Sequence, residues 1–128
     1  MINVVGDHAT YHRKFDAPLT SDVEGFARPV SGWIKVSGSA DEVAADGAQA
    51  VQAALAPPGQ VATLILPADT AWDRTSVAPA RPLPRLAPAP VDAALVDEAA
   101  QVLASGEPCV MLINGTLTAE RTDRKSVV

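Results

Sequence analysis

Apolar positions along this chain follow two periods, and each change of period marks a change of element. The opening Ile2-Asn3-Val4-Val5-Gly6 is a β-branched run closed by glycine, which reads as a buried strand whose first available partner is residues 60–66. Further partners are expected outside the chain. Residues 7–22 are polar, carry both charge signs and contain Pro18, the pattern of a loop with room for one helical turn. Asp22–Ala27 fits a short helix ended by Pro29, because the residue before a proline is pushed out of helical geometry. Trp33–Val36 alternates as a short extended segment. Ser39-Ala40-Asp41-Glu42 has the spacing of a capping box, in which the serine hydroxyl accepts the Glu42 amide and the carboxylate reaches back to the Ser39 amide. A helix is predicted to start there, with Val43, Gly47, Val51, Ala54 and Leu55 as its buried stripe and Gly47 as a point of close approach to a sheet. Pro57-Pro58-Gly59 stops it, and Gln60–Leu66 is a near-continuous apolar strand of the kind helices cover on both faces. The order β-loop-α-β predicts a parallel sheet.

The period is then lost. Pro79, Pro82, Pro84, Pro88 and Pro90 neither donate to a ladder nor fit a helix interior, so residues 73–90 read as an extended linker. A second helix is predicted from Asp92, with Leu95, Ala99, Val102 and Leu103 as its buried stripe and Ser105-Gly106 as its end. The apolar run Cys109–Ile113 reads as a strand, and Asn114-Gly115 as a turn. These segments would be the first step of another α/β domain, ordered only if it leans on the first. Residues 116–128 are polar and carry no apolar period; Arg121–Val128 resembles translated sequencing-adapter sequence, and 118–128 reads as a non-native tail.

Composition narrows the picture. With 128 residues and 48% hydrophobic content, of which only two Phe, one Tyr and two Trp are large, a core must rest on Val, Leu and Ile and will be thin. A formal charge of −5 argues against nucleic acid, whose binders concentrate Lys and Arg to displace counterions. No apolar run approaches a membrane span and the start lacks a signal-peptide pattern, so a cytoplasmic protein is expected. The single Cys109 makes no internal disulfide; inside an apolar strand it is expected to be buried and inert.

Three stretches carry a resemblance. NVVGDHATYH with DAPLTSDVEGFARPVSGW, then QVATLILPADTAW, then Gly106-Glu107-Pro108-Cys109-Val110-Met111-Leu112-Ile113-Asn114-Gly115, together about residues 2–117, resemble thiamine-diphosphate-dependent enzymes of the acetolactate synthase large subunit branch. The resemblance implies an α/β fold: residues 1–72 as the parallel-sheet second half of a pyrimidine-binding domain, 73–90 as linker, and 91–117 as the start of a Rossmann-like central domain. It implies a fragment of a longer enzyme of branched-chain amino acid biosynthesis that joins two 2-keto acids, uses thiamine diphosphate and Mg²⁺, and assembles as a homodimer or homotetramer. The family's catalytic glutamate belongs upstream of Met1 and its diphosphate-binding Gly-Asp-Gly motif far downstream, so no catalytic, cofactor-binding or metal residue is assigned and the chain alone is expected to be inactive.

His8 and His12, four apart beside Asp7, admit three readings: a partial zinc set lacking a fourth ligand, loop-anchoring or solvated histidines, or part of a ligand cleft. The last follows from position, since loops at the carboxyl ends of parallel strands line clefts in open α/β sheets. In the resembling family this loop lies near the cofactor across a subunit interface, which marks His8, His12, Leu19 and Thr20 as active-site-adjacent. Some synthases of the family carry Phe-Gln-Glu about where this chain has Pro18-Leu19-Thr20, so the substrate is left open. The alternatives are a benzoylformate decarboxylase-like 2-keto acid decarboxylase, and a small non-enzymatic interaction module using Arg81–Pro88 as a polyproline ligand.

Overall fold

The computed structural model describes residues 1–112, which fall into two compact units divided after Ala87. In the first unit three parallel strands, β1 (Ile2–Asp7), β2 (Trp33–Val36) and β3 (Ala62–Pro67), form a sheet in the order β1-β3-β2. Ile2 faces Ala62 and Asp7 faces Pro67 along one edge of β3, while Trp33 faces Ala62 along the other. β3 is therefore the central strand, and both sets of its alternating side chains are covered: Ala62 and Leu64, Thr63 and Ile65. This is the environment its apolar run calls for. β1 is different. Among the described residues it is hydrogen-bonded along one edge only, and Ile2 and Val4 are exposed, so it is not the buried strand its composition predicts. The helices pack chiefly over β3, and an edge strand is covered only where a neighbour reaches it.

The loop after β1 holds one 3₁₀ turn, Arg13–Phe15, and helix α1 (Val23–Ala27) follows, its first turn capped by the Asp22 carboxylate accepting the Gly25 amide at 2.8 Å. Helix α2 spans Val43–Leu55, and α3 spans Ala68–Trp72 directly after β3. α2 does not begin at the predicted box. The Ser39 hydroxyl lies 3.3 Å from the Glu42 carboxylate and the other Glu42 oxygen accepts the Gly38 amide at 3.1 Å, while the Glu42 amide goes to the Ser39 carbonyl. That pattern closes a turn and delays the helix to Val43.

The buried face of α2 is also rotated from the predicted stripe. Asp46, Ala50 and Ala53 are buried, Val51 and Leu55 are exposed, and a Cβ placed on Gly47 would meet nothing, so no close approach occurs there. The cause is polar. Asp46, only 3% exposed, accepts the buried Ser37 hydroxyl at 2.9 Å and sits 3.7 Å from the Lys35 ammonium. Burying a carboxylate without partners costs several kcal/mol, so this contact fixes the helix's rotation and leaves alanines to meet the sheet. Ala50, Ala53 and Ala62 form the core, with Trp33 and Ala54 packed against it. Small residues there let helix and sheet approach closely. After Leu55 the chain turns through Gly59, whose φ of +96° suits glycine.

In the second unit, helix α4 (Ala93–Ala104) starts at Asp92, whose carboxylate accepts the Ala94 amide at 2.9 Å, and ends at Ser105 and Gly106. Its predicted stripe is not buried: Leu95, Val102 and Leu103 are at least half exposed. Cys109–Leu112 form no strand and Cys109 is exposed, because an extended apolar run becomes a strand only beside a partner that takes its hydrogen bonds. Ile113, the Asn114-Gly115 turn and the tail lie outside the described residues.

Candidate functional site

Two cavities open at the carboxyl ends of the strands, where a parallel sheet splays its loops. The larger, about 590 Å³, is bounded by Gly6 and Asp7 of β1, Leu66 of β3, Ala68, Ala71 and Trp72 of α3, and the loop residues His8, Tyr11, His12 and Leu19. The smaller, about 190 Å³, shares Asp7 and His8 and adds Arg13, Thr20 and Asp22. Of the four residues singled out in the sequence, His8, His12 and Leu19 thus share one cleft, and Thr20 borders its neighbour.

Asp7 organises the loop. One of its oxygens accepts the His8 amide at 2.7 Å and the other receives the Arg13 guanidinium at 2.5 Å. The His8 and His12 rings lie 5.6 Å apart, centre to centre and tilted by 44°, and His12 lies 5.7 Å from the Phe15 ring. Lys14 sits over that ring at 5.0 Å. His12 enters the 3₁₀ turn rather than an α-helix, so the four-residue spacing does not align the imidazoles as on a helix face. Among the described residues no three His, Cys, Asp or Glu side chains come together as a metal-ligand set.

A second clamp comes from α3. Asp69 accepts both the Thr10 amide, at 2.9 Å, and the Thr10 hydroxyl. These bonds, the hydroxyl first and the amide second, hold the Asp69 carboxyl below the usual aspartate range. The loop carrying His8 and His12 is therefore tied twice, across its ends by Asp7 to Arg13 and at its middle by Thr10 to α3. Leu19 stands at φ +72° with its side chain 92% exposed, a left-handed conformation uncommon outside glycine. Thr20 holds that turn, its amide and hydroxyl both donating to the Ala17 carbonyl at 3.0 and 2.7 Å.

Asp69 and Trp72 lie outside the loop that the sequence marks, and Tyr11 lies inside it without being singled out. The rule that places ligand loops at strand ends applies to β3 as much as to β1, and Ala68-Asp69-Thr70-Ala71-Trp72 follows β3 directly. Chemically, the cleft presents two imidazoles and an exposed aromatic rim, with both nearby carboxylates engaged. It suits a partly apolar ligand better than a hard cation.

Against known proteins, this chain is 51% identical over 118 residues to a Mycobacterium tuberculosis (strain ATCC 25618 / H37Rv) protein named "Putative acetolactate synthase large subunit IlvX". The chain is acetolactate synthase large subunit-like. The match takes in 92% of this chain but only 22% of the mycobacterial relative, so it corresponds to one segment of a much longer protein. No family model matches it. The acetolactate synthase-like segment contributes an all-parallel three-stranded α/β sheet, and none of its described helices is long and apolar enough to cross a membrane.

Proposed function

We propose that this chain is part of a thiamine-diphosphate-dependent enzyme that joins 2-keto acids, and that the 590 Å³ cleft forms one wall of its active site. The observation that carries the reading is the 51% identity over nearly the whole chain. In this reading residues 1–72 complete a pyrimidine-binding domain, 73–90 link it to a central domain begun by 91–117, and 118–128 are a non-native tail. The whole protein works as a cytoplasmic homodimer or homotetramer in branched-chain amino acid biosynthesis.

The donor set along the cleft does not fit a metal-diphosphate site, because Asp7 is spent on Arg13 and Asp69 on Thr10. Thiamine diphosphate and Mg²⁺ would be held by other parts of the enzyme, and the role of this segment is to shape and line. His8 and His12 offer hydrogen bonds to a carboxylate or carbonyl, and Leu19 and Trp72 present exposed apolar surface at the rim. A left-handed leucine at the mouth of a cleft is backbone strain of the kind that gathers at functional sites, which makes Leu19 the residue for reading substrate size. The second reading is a 2-keto acid decarboxylase, supported by Pro18-Leu19-Thr20 standing about where some synthases carry Phe-Gln-Glu.

The test is a chimera. Residues 2–112 replace the matching segment of an active acetolactate synthase large subunit, and thiamine diphosphate binding and the products from pyruvate are measured. Retained cofactor binding with acetolactate as product is expected, while the isolated chain binds no thiamine diphosphate. Acetaldehyde in place of acetolactate would favour the decarboxylase, and a correctly assembled chimera with neither product would refute both.

A further inference from the structure

The proline-rich stretch after Trp72 has no regular secondary structure, yet it is fastened to the first unit at two points. The first is Asp41, just ahead of α2. One of its carboxylate oxygens accepts the Thr75 hydroxyl at 2.8 Å and the Ser76 amide at 2.6 Å, and the other accepts the Ser76 hydroxyl at 2.8 Å. The Val77 amide then donates to the Thr75 hydroxyl oxygen at 3.2 Å, closing a small polar knot. The second is Gln52, near the far end of α2, whose side-chain amide donates to the Pro84 carbonyl at 2.7 Å.

From Asp41 to Gln52 is about 16 Å at the helical rise of roughly 1.5 Å per residue. The chain between Ser76 and Pro84 reaches roughly 25 Å when extended at about 3.1 Å per residue, so it spans the two points without strain. Prolines suit such a segment. They restrict the unfastened chain and leave few backbone donors needing partners, so less entropy is lost on fastening. The bonds to Asp41 also hold its carboxyl below the usual aspartate range, the Ser76 amide first and the two hydroxyls after it.

We infer that residues 75–84 are a strap pinned along α2 at Asp41 and Gln52, so that only residues 85–92 serve as the free connection to α4. This does not depend on the enzymatic reading above. It assigns Asp41 a task of its own: it fixes where the chain goes after α3.

Trypsin reads the strap directly. The Arg74–Thr75 bond adjoins the Asp41 pin and the Arg85–Leu86 bond adjoins the Gln52 pin, whereas Arg81 precedes a proline and resists cleavage. When opening is fast, the cut rate follows the population of the opened segment. Asp41→Ala, and separately the double variant Thr75→Ala with Ser76→Ala, should each raise cleavage at Arg74–Thr75 roughly tenfold, the loss expected when bonds to a charged acceptor go. Gln52→Ala should raise cleavage at Arg85–Leu86 instead. The strap-side double variant leaves α2 untouched, so it decides the matter should Asp41→Ala disturb the helix start. An unchanged Arg74–Thr75 rate in that double variant, or a wild-type rate equal to that of a free peptide of residues 73–87, overturns the inference.

Discussion

Helices α2 and α4 are close to matched in length, 13 residues against 12, and both are rich in alanine with an apolar stripe. Their fates differ completely. α2 lies on the sheet and buries one aspartate and two alanines, Asp46, Ala50 and Ala53, while its larger Val51 and Leu55 stay exposed. α4 carries the better stripe, Leu95, Val102 and Leu103, and buries none of it among the described residues. Amphipathicity says which face a helix can offer; burial depends on what stands opposite and on which polar contacts fix the rotation.

The comparison breaks most visibly if equal truncations cost the same in both places. Ile65→Ala removes a side chain that is 1% exposed on the central strand and should cost about 3 kcal/mol. Leu95→Ala on α4 takes away a side chain that is 63% exposed and should stay within about 0.5 kcal/mol. Urea unfolding followed by far-ultraviolet circular dichroism measures both. A loss at Leu95 matching that at Ile65 would mean that α4 is packed after all.

Next in size is the polar contact that sets α2. Asp46→Ala leaves the buried Ser37 hydroxyl without its acceptor and Lys35 without its ion pair, for about 2 kcal/mol. Asp46→Asn keeps an acceptor for Ser37 and should cost less than half as much. If Asp46→Ala were neutral in the same unfolding experiment, the alanine face would be chosen by packing alone.

These contacts explain what could be read in advance. The spans of β1, β2 and β3 to within two residues, the parallel order and the proline-glycine stop after Leu55 follow from local pattern and turn chemistry, and all are observed. The face of α2 does not, because Val43, Val51 and Leu55 outvote Asp46 in any apolar count, and only the distant Ser37 and Lys35 reveal why an aspartate faces inward. The Ser39–Glu42 box fails for a related reason: the Glu42 side chain finds the Gly38 amide and the Ser39 hydroxyl, and the turn this closes takes up the residues a helix would have used. The apolar neighbours of Cys109 predict burial, yet it is exposed, because a run has no strand character until another strand meets it. In the cleft, the rule about strand ends found His8, His12 and Leu19 behind β1, and carried only as far as β1 it passed over Asp69 and Trp72 behind β3.

The smallest effect is the sharpest. Leu95→Ser combined with Leu103→Ser removes two of the larger apolar groups on α4, both at least half exposed, so stability should move by no more than about 0.5 kcal/mol. The side chains line two shallow apolar hollows beside α4, so binding of a hydrophobic dye should fall even though the melt does not. The paired readout matters, because an unchanged melt alone is also what an irrelevant surface change produces. Lower dye binding with an unchanged melt means that α4 offers an apolar face to solvent. A loss of 2 kcal/mol or more, the size of a core truncation, would instead make α2 and α4 alike in burial and dissolve the contrast between them.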